Sequence, residues 1–112
     1  MFPGYFLVPL AALAHHTRAG RAWRRPWVPV FNDDAGYYFL LDCDSGEILR
    51  YDNDEAEAYL VHRDLVRMLE TVLAGYEEGV YSWDPAVGLL SDIDREWSLA
   101  RRMNPGIEYW ER

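Results

Sequence analysis

The chain has one cysteine, Cys43, and no lysine. A single cysteine excludes an internal disulfide and any zinc site built on paired thiolates. In an apolar strand it is expected to behave as a small hydrophobe in a reducing, cytoplasmic setting. No run reaches the roughly 20 apolar residues that span a bilayer, so no membrane role is expected. The apolar stretch Tyr5 to Ala14 ends in Ala12-Leu13-Ala14, as signal peptides do. No Lys or Arg precedes it and Pro9 interrupts it, so secretion is not expected either. Gly-x-Ser-x-Gly, P-loop and dinucleotide fingerprints are all missing. His15, His16 and His62 lack cysteine partners and zinc-type spacings and are read as structural. Neither a metal nor another cofactor is expected. The absence of lysine reflects a GC-rich coding composition more than a preference for forked hydrogen bonding.

What the sequence does hold is apolar mass and acid. Half of its 112 residues are hydrophobic and 15% aromatic, a globular composition despite a formal net charge of -8. One domain spanning residues 1–112 is expected, with about two-thirds of the unfolded surface buried. The charge is uneven: Arg18, Arg21, Arg24 and Arg25 precede the first acid, and all 19 acids follow residue 32. A net-acidic body repels phosphate backbones, which excludes ordinary nucleic-acid binding and makes a basic protein its natural complement.

Residues 27–52 read as three short strands. Pro26 and Pro29 flank Trp27 and Val28, favouring a sheet edge there. Tyr37 to Cys43 alternates but is apolar on both faces, as a central strand would be. Asp44-Ser45-Gly46 supplies a tight turn, and Glu47 to Tyr51 returns antiparallel. Asn53 to Glu57 is too polar and acidic to pack and reads as an exposed loop before a short strand at Ala58 to Val61. Upstream, Tyr5 to Val8 suggests a strand and Pro9 the start of a helix to about Ala19. From His62 to Glu78, Leu65, Leu69, Val72, Leu73 and Tyr76 draw one apolar stripe along a helix that Gly79 ends. Val80 to Trp83 is a strand, Pro85 to Gly88 a turn, and Ser91 caps a last helix that Asn104-Pro105-Gly106 stops. The fold class expected is α+β, a mostly antiparallel sheet of about four to five short strands with helices packed on it.

Asp42, Asp44, Gly46 and Glu47 resemble a calcium loop only superficially, because the EF-hand spacing is not met. Asp52, Asp54, Glu55 and Glu57 suit a solvated binding face better than an ion site. A hydrolase built on Asp42 and Glu47 would need a cleft that drives their pKa values apart, and no such cleft is legible, so no enzyme is expected. The aromatics outnumber what one small core absorbs. Tyr51 and Tyr59 flank the acidic loop, and rings beside carboxylates give a low-entropy contact surface that can stack on Arg or Lys of a partner. The candidate partner-binding set is therefore Asp44, Glu47, Tyr51, Asp52, Asp54, Glu55, Glu57 and Tyr59.

Taken in order, Trp27-Val-Pro-Val, Gly36 before an apolar strand, Leu41-Asp42, the Ser45-Gly46-Glu47 turn and the helix ending Gly75-Tyr76-Glu-Glu-Gly79 resemble the SMI1/KNR4 family, or SUKH superfamily. Asn104-Pro105-Gly106 with Trp110 is similar to the ending of longer bacterial members. The resemblance implies an α+β fold and, in bacteria, an immunity protein that neutralises a cognate polymorphic toxin, commonly a nuclease. The alternative it implies is a regulatory or scaffolding domain with an endogenous partner. Tyr37 stands where members usually carry Asp after the glycine. The family's opening helices and Leu-Pro-x-x-Tyr-like segment have no counterpart, since Met1-Phe2-Pro3-Gly4 aligns with the family's interior. Such truncation would uncover a sheet edge and an apolar face and favour a homo-oligomer.

Overall fold

The computed structural model describes residues 5–9, 26–33, 36–55 and 57–111. The helix expected after Pro9, and His15 and His16, lie outside the described residues. The architecture is α+β. An antiparallel sheet is formed by β1 (Phe6–Leu7), β2 (Trp27–Asn32), β3 (Tyr37–Asp42), β4 (Ile48–Asp52) and β5 (Glu57–His62), ordered in space as in the chain. Then come α1 (Leu65–Glu77), a hairpin of β6 (Tyr81–Asp84) and β7 (Gly88–Ser91), α2 (Ile93–Met103) and a 3-10 turn at Glu108–Glu111. Among the described residues no helix is long and apolar enough to cross a membrane.

β3 is central, as its two apolar faces require. One face contributes Phe39, with Phe31, Ile48 and Val61 from neighbouring strands, to a core closed by Met68, Ala100, Ile107 and Trp110. The other face buries Tyr38 and Leu40 with Trp27 and Tyr51. Removing side chains such as Leu40 and Ile48 wholly from water contributes about 1.5–3 kcal/mol each. Among the described residues, β2 is at the sheet's edge over Trp27 to Pro29 only: β1 pairs with Phe31 and Asn32, and the Val8 N–H reaches the Val30 carbonyl at 2.9 Å. Pro29, which has no N–H to offer a neighbour, lies beyond that pairing and next to a bulge between Pro29 and Phe31.

Cys43 is not in the strand. β3 ends at Asp42, whose Oδ1 accepts the N–H groups of Asp44 (2.9 Å) and Ser45 (3.2 Å), and Cys43 is exposed on the resulting turn. Gly46 takes the positive φ that this turn requires. The cap of α2 also differs from expectation. Asp92 accepts the Arg95 N–H, while Ser91 hydrogen-bonds the Glu96 carboxylate instead.

The largest departure is α1. Asp64 caps it by accepting the Arg67 N–H at 2.8 Å, but the buried residues are Met68, Thr71 and Gly75. Leu65, Leu69, Leu73 and Tyr76 of the expected packing stripe are exposed. Gly75 explains the choice of inner face: a Cβ there would stand 2.5 Å from Tyr81 Cε2, so only glycine lets the Tyr81 ring pass beneath the helix.

A polar chain joins the layers. Asn104 is 1% exposed. Its Oδ1 meets His62 Nδ1 at 3.1 Å, and its Nδ2 donates to Thr71 Oγ1 (3.1 Å) and to the Ala100 carbonyl (2.9 Å). Since both Asn104 amide hydrogens are engaged, its oxygen must accept, so neutral His62 carries its proton on Nδ1. His62 has the structural place expected of it. Trp110 Nε1 donates to the Val61 carbonyl at 2.7 Å and holds the 3-10 turn against β5.

Candidate protein-binding surface

In an antiparallel meander, alternate turns share an end of the sheet. The β2–β3 and β4–β5 turns are brought together by the pairing of Tyr37 with Asp52 and by the Asn53 N–H bonding the Gly36 carbonyl at 2.9 Å. The β3–β4 turn is at the other end of β4, about 17 Å away at some 3.4 Å per residue. The candidate acids therefore do not form one surface. Asp54, Glu55 and Glu57 belong to the first end, whereas Asp44 and Glu47 sit at the second.

Two candidates are corrected outright. Tyr51 is 0% exposed and Asp52 is 6% exposed. Tyr51 pairs with Tyr38 and Ala58 and packs with Trp27 and Leu40 on the sheet face opposite Phe39, because a strand side chain stands out from the sheet and not along the loop it precedes in sequence. Asp52 is part of the turn's scaffold: its Oδ1 accepts the N–H groups of Asp54 (2.9 Å) and Glu55 (3.4 Å). Spending this carboxylate on the backbone lifts Asp54 and Glu55 into solvent, where both are exposed.

Asp33, which sequence reasoning passed over as turn chemistry, joins the same end and accepts the Tyr37 N–H through Oδ1 at 3.0 Å. Next to it, Arg50 Cζ lies 4.4 Å from the Tyr37 ring centroid. The ion pairs between described residues are Arg67–Asp64 (2.7 Å) and Arg102–Glu78 (2.5 Å), and neither reaches this end. Asp54, Glu55 and Glu57 thus have no ion-pair partner among the described residues.

Behind the acids runs a groove of about 420 Å³. Ala58, Tyr59 and Leu60 form one wall, with Ile107, Glu108 and Tyr109 on the other. Consecutive strand side chains point to opposite faces, so a wall made of three in succession is the outer backbone edge of β5. Tyr59 donates its hydroxyl hydrogen to the Glu57 carboxylate, and its ring lies 5.8 Å from that of Tyr109, which stacks on Trp97 at 5.2 Å. Tyr59 is thus the sequence candidate that does join acid to ring, while Glu108 and Tyr109 were missed. The signal for them was weak: only the fold carries residues 108 and 109 back to β5.

The hydrolase reading finds its two residues at the far turn. Asp42 is held below the usual carboxylate range by the Asp44 N–H first, and further by that of Ser45, so it is an ionised turn-former. An interior chamber of about 40 Å³ lies among His62, Thr71, Tyr81, Glu96 and apolar neighbours, room for water rather than for a substrate. Among the described residues no group of three or more His, Cys, Asp or Glu is placed to hold a metal ion.

Comparison with family models, with curated proteins and with solved structures returned no match for this chain.

Proposed function

We propose that the chain is a non-enzymatic protein-binding module of SMI1/KNR4 type, an immunity protein that neutralises a cognate nuclease-like toxin in the cytoplasm. The contact set is Asp54, Glu55, Glu57 and Tyr59, extended by Glu108 and Tyr109 and revised by the loss of Tyr51 and Asp52. The observation that carries this reading is the inward-turned Asp52, which presents Asp54 and Glu55, without an ion-pair partner among the described residues, on the turn that leads into the strand walling a ring-lined groove. Opposite charge speeds encounter, and rings that become buried slow release. Asp44 and Glu47, at the far turn, form at most a separate contact.

The test is co-expression with the toxin domain encoded beside its gene, scored by growth, followed by binding kinetics of the purified pair. Rescue by the wild-type chain is expected. The triple variant D54S/E55S/E57S is expected to associate about tenfold more slowly at low ionic strength, with the difference shrinking as salt screens the charges. Absence of rescue refutes the immunity reading and favours a scaffolding domain with an endogenous partner. Unchanged association by the triple variant removes this surface from the account.

A further inference from the structure

We propose that the outer edge of β5 takes an extended, basic segment of a partner protein as an added antiparallel strand. The inference rests on the binding role proposed above and supplies the form and chemistry of what is bound. The backbone register carries it. The Asn53 N–H bonds the Gly36 carbonyl at 2.9 Å and the Asp42 N–H bonds the Glu47 carbonyl at 2.9 Å, so Glu47, Leu49, Tyr51 and Asn53 turn their main-chain groups toward β3. Arg50 and Asp52 turn theirs toward β5, where they pair with Tyr59 and Glu57. Ala58 and Leu60 alternate with these two, so their N–H and C=O groups point away from the sheet. Among the described residues no backbone hydrogen bond reaches that side of Ala58 or Leu60. The 3-10 turn covers only the next carbonyl, that of Val61, through Trp110. β5 carries no proline to guard the edge, and the groove of about 420 Å³ runs along it.

A row of open main-chain groups calls for a strand, and antiparallel is the direction of every ladder in the sheet. Residues of the incoming strand opposite Tyr59 and Glu57 stand on the face of those two side chains, beside Glu108 and the Tyr109 ring. Glu57 and Glu108 have no ion-pair partner among the described residues. Of the cations on adjoining segments, Arg50 lies over the Tyr37 ring at 4.4 Å and Arg63 donates to the Pro105 carbonyl at 2.8 Å. Arg or Lys therefore suits alternate positions of the segment, its stem against the rings and its charge at these carboxylates. A second copy suits the edge less, because it brings a net charge of -8 and a Glu57 of its own.

Amide NMR of the isotope-labelled chain, titrated with the end-blocked peptide Thr-Arg-Val-Arg-Val-Arg-Thr, tests the proposal. Four main-chain hydrogen bonds with the arginine contacts correspond to a dissociation constant of about 0.1–1 mM. The Ala58 and Leu60 amides are expected to shift and to exchange more slowly. N-methylating the two valines, which face Ala58 and Leu60, is expected to weaken binding about tenfold or more, whereas N-methylating the two arginines that follow them, whose N–H groups face away, leaves it within about twofold. A58P removes an outward N–H, spares the β4 ladder and is expected to weaken the parent peptide about fivefold. Undisturbed Ala58 and Leu60 amides up to about 5 mM peptide overturn the proposal, as does equal loss, or none, from the two methylations. Equal binding of the peptide with glutamate in place of arginine overturns the basic chemistry. Shifts at these amides that grow with protein concentration alone give the edge to a second copy and overturn the partner strand. Toxin rescue without peptide binding would keep the immunity reading and discard this edge, and peptide binding without rescue would do the reverse.

Discussion

Asn104→Ala is the sharpest probe of what joins sheet to helices, because one side chain serves β5, α1 and α2 at once. Its removal leaves three groups short. The Ala100 carbonyl still accepts the Asn104 backbone N–H at 2.9 Å, and the Thr71 hydroxyl still donates to the Arg67 carbonyl at 2.8 Å, so these two lose little. The His62 Nδ1–H has no such reserve, and His62 is 5% exposed. Stranding a buried donor costs about 1–3 kcal/mol, and the small void left by the amide adds to it, for a total of about 2–4 kcal/mol. Urea denaturation at pH 7.5 reads this as a lower midpoint at constant slope. Pairing is tested by a double-mutant cycle with His62→Phe. Once the imidazole donor is gone the amide has less to satisfy, so Asn104→Ala combined with His62→Phe should be less damaging than the sum by about 1 kcal/mol or more. A single-variant loss under about 0.5 kcal/mol, or strict additivity, would show that Asn104 is not the hub inferred here.

Burial first, only partly offset by the Asn104 bond, holds the His62 pKa below its ordinary 6.5. The unfolded chain then binds a proton that the folded chain refuses. Stability is therefore full above pH 6.5 and falls by up to about 1.4 kcal/mol per unit as pH drops from there toward the folded value, a slope that His62→Gln should flatten in parallel urea titrations. Gly75→Ala would normally stabilise a helix by about 1 kcal/mol, but the contact with the Tyr81 ring should reverse the sign and cost a net 1–2 kcal/mol. Thermal melts of G75A and of G75A/Y81V check this, the second variant recovering part of the loss. Asp52→Ser should weaken the β4–β5 turn by about 1–2 kcal/mol and raise hydrogen exchange at the Asp54 amide, while exchange at Leu40 stays protected.

Much of this fold was legible because local signals agreed with one another. The double-sided apolar run of β3, the Asp-Ser-Gly turn and the glycine after α1 each have a short-range cause. What misled was direction. A stripe of leucines along α1 reads as a packing face, yet nothing in a periodic pattern says which side of a helix its own domain will use; a glycine over a tyrosine ring decided it. Tyr51 misled for a similar reason, since adjacency to an acidic loop in sequence is not adjacency in space when a strand side chain stands out from the sheet. The division of Asp44 and Glu47 from Asp54 and Glu55 could have been foreseen, because successive hairpin turns must fall at opposite ends. Asn104 could not: its partners at positions 62 and 71 are joined to it only by the finished fold.

The larger sheet repeats the order of its strands in the chain, and this bears on how the molecule is made. The ladders β2–β3, β3–β4 and β4–β5 each close over a few residues, so little entropy is lost before contacts form. Such a meander should assemble quickly for a sheet protein, and in sequence as the chain leaves the ribosome. The more distant pairing, of Phe6 and Leu7 with Asn32 and Phe31, is a two-residue ladder at the margin, so it can close after the meander has formed.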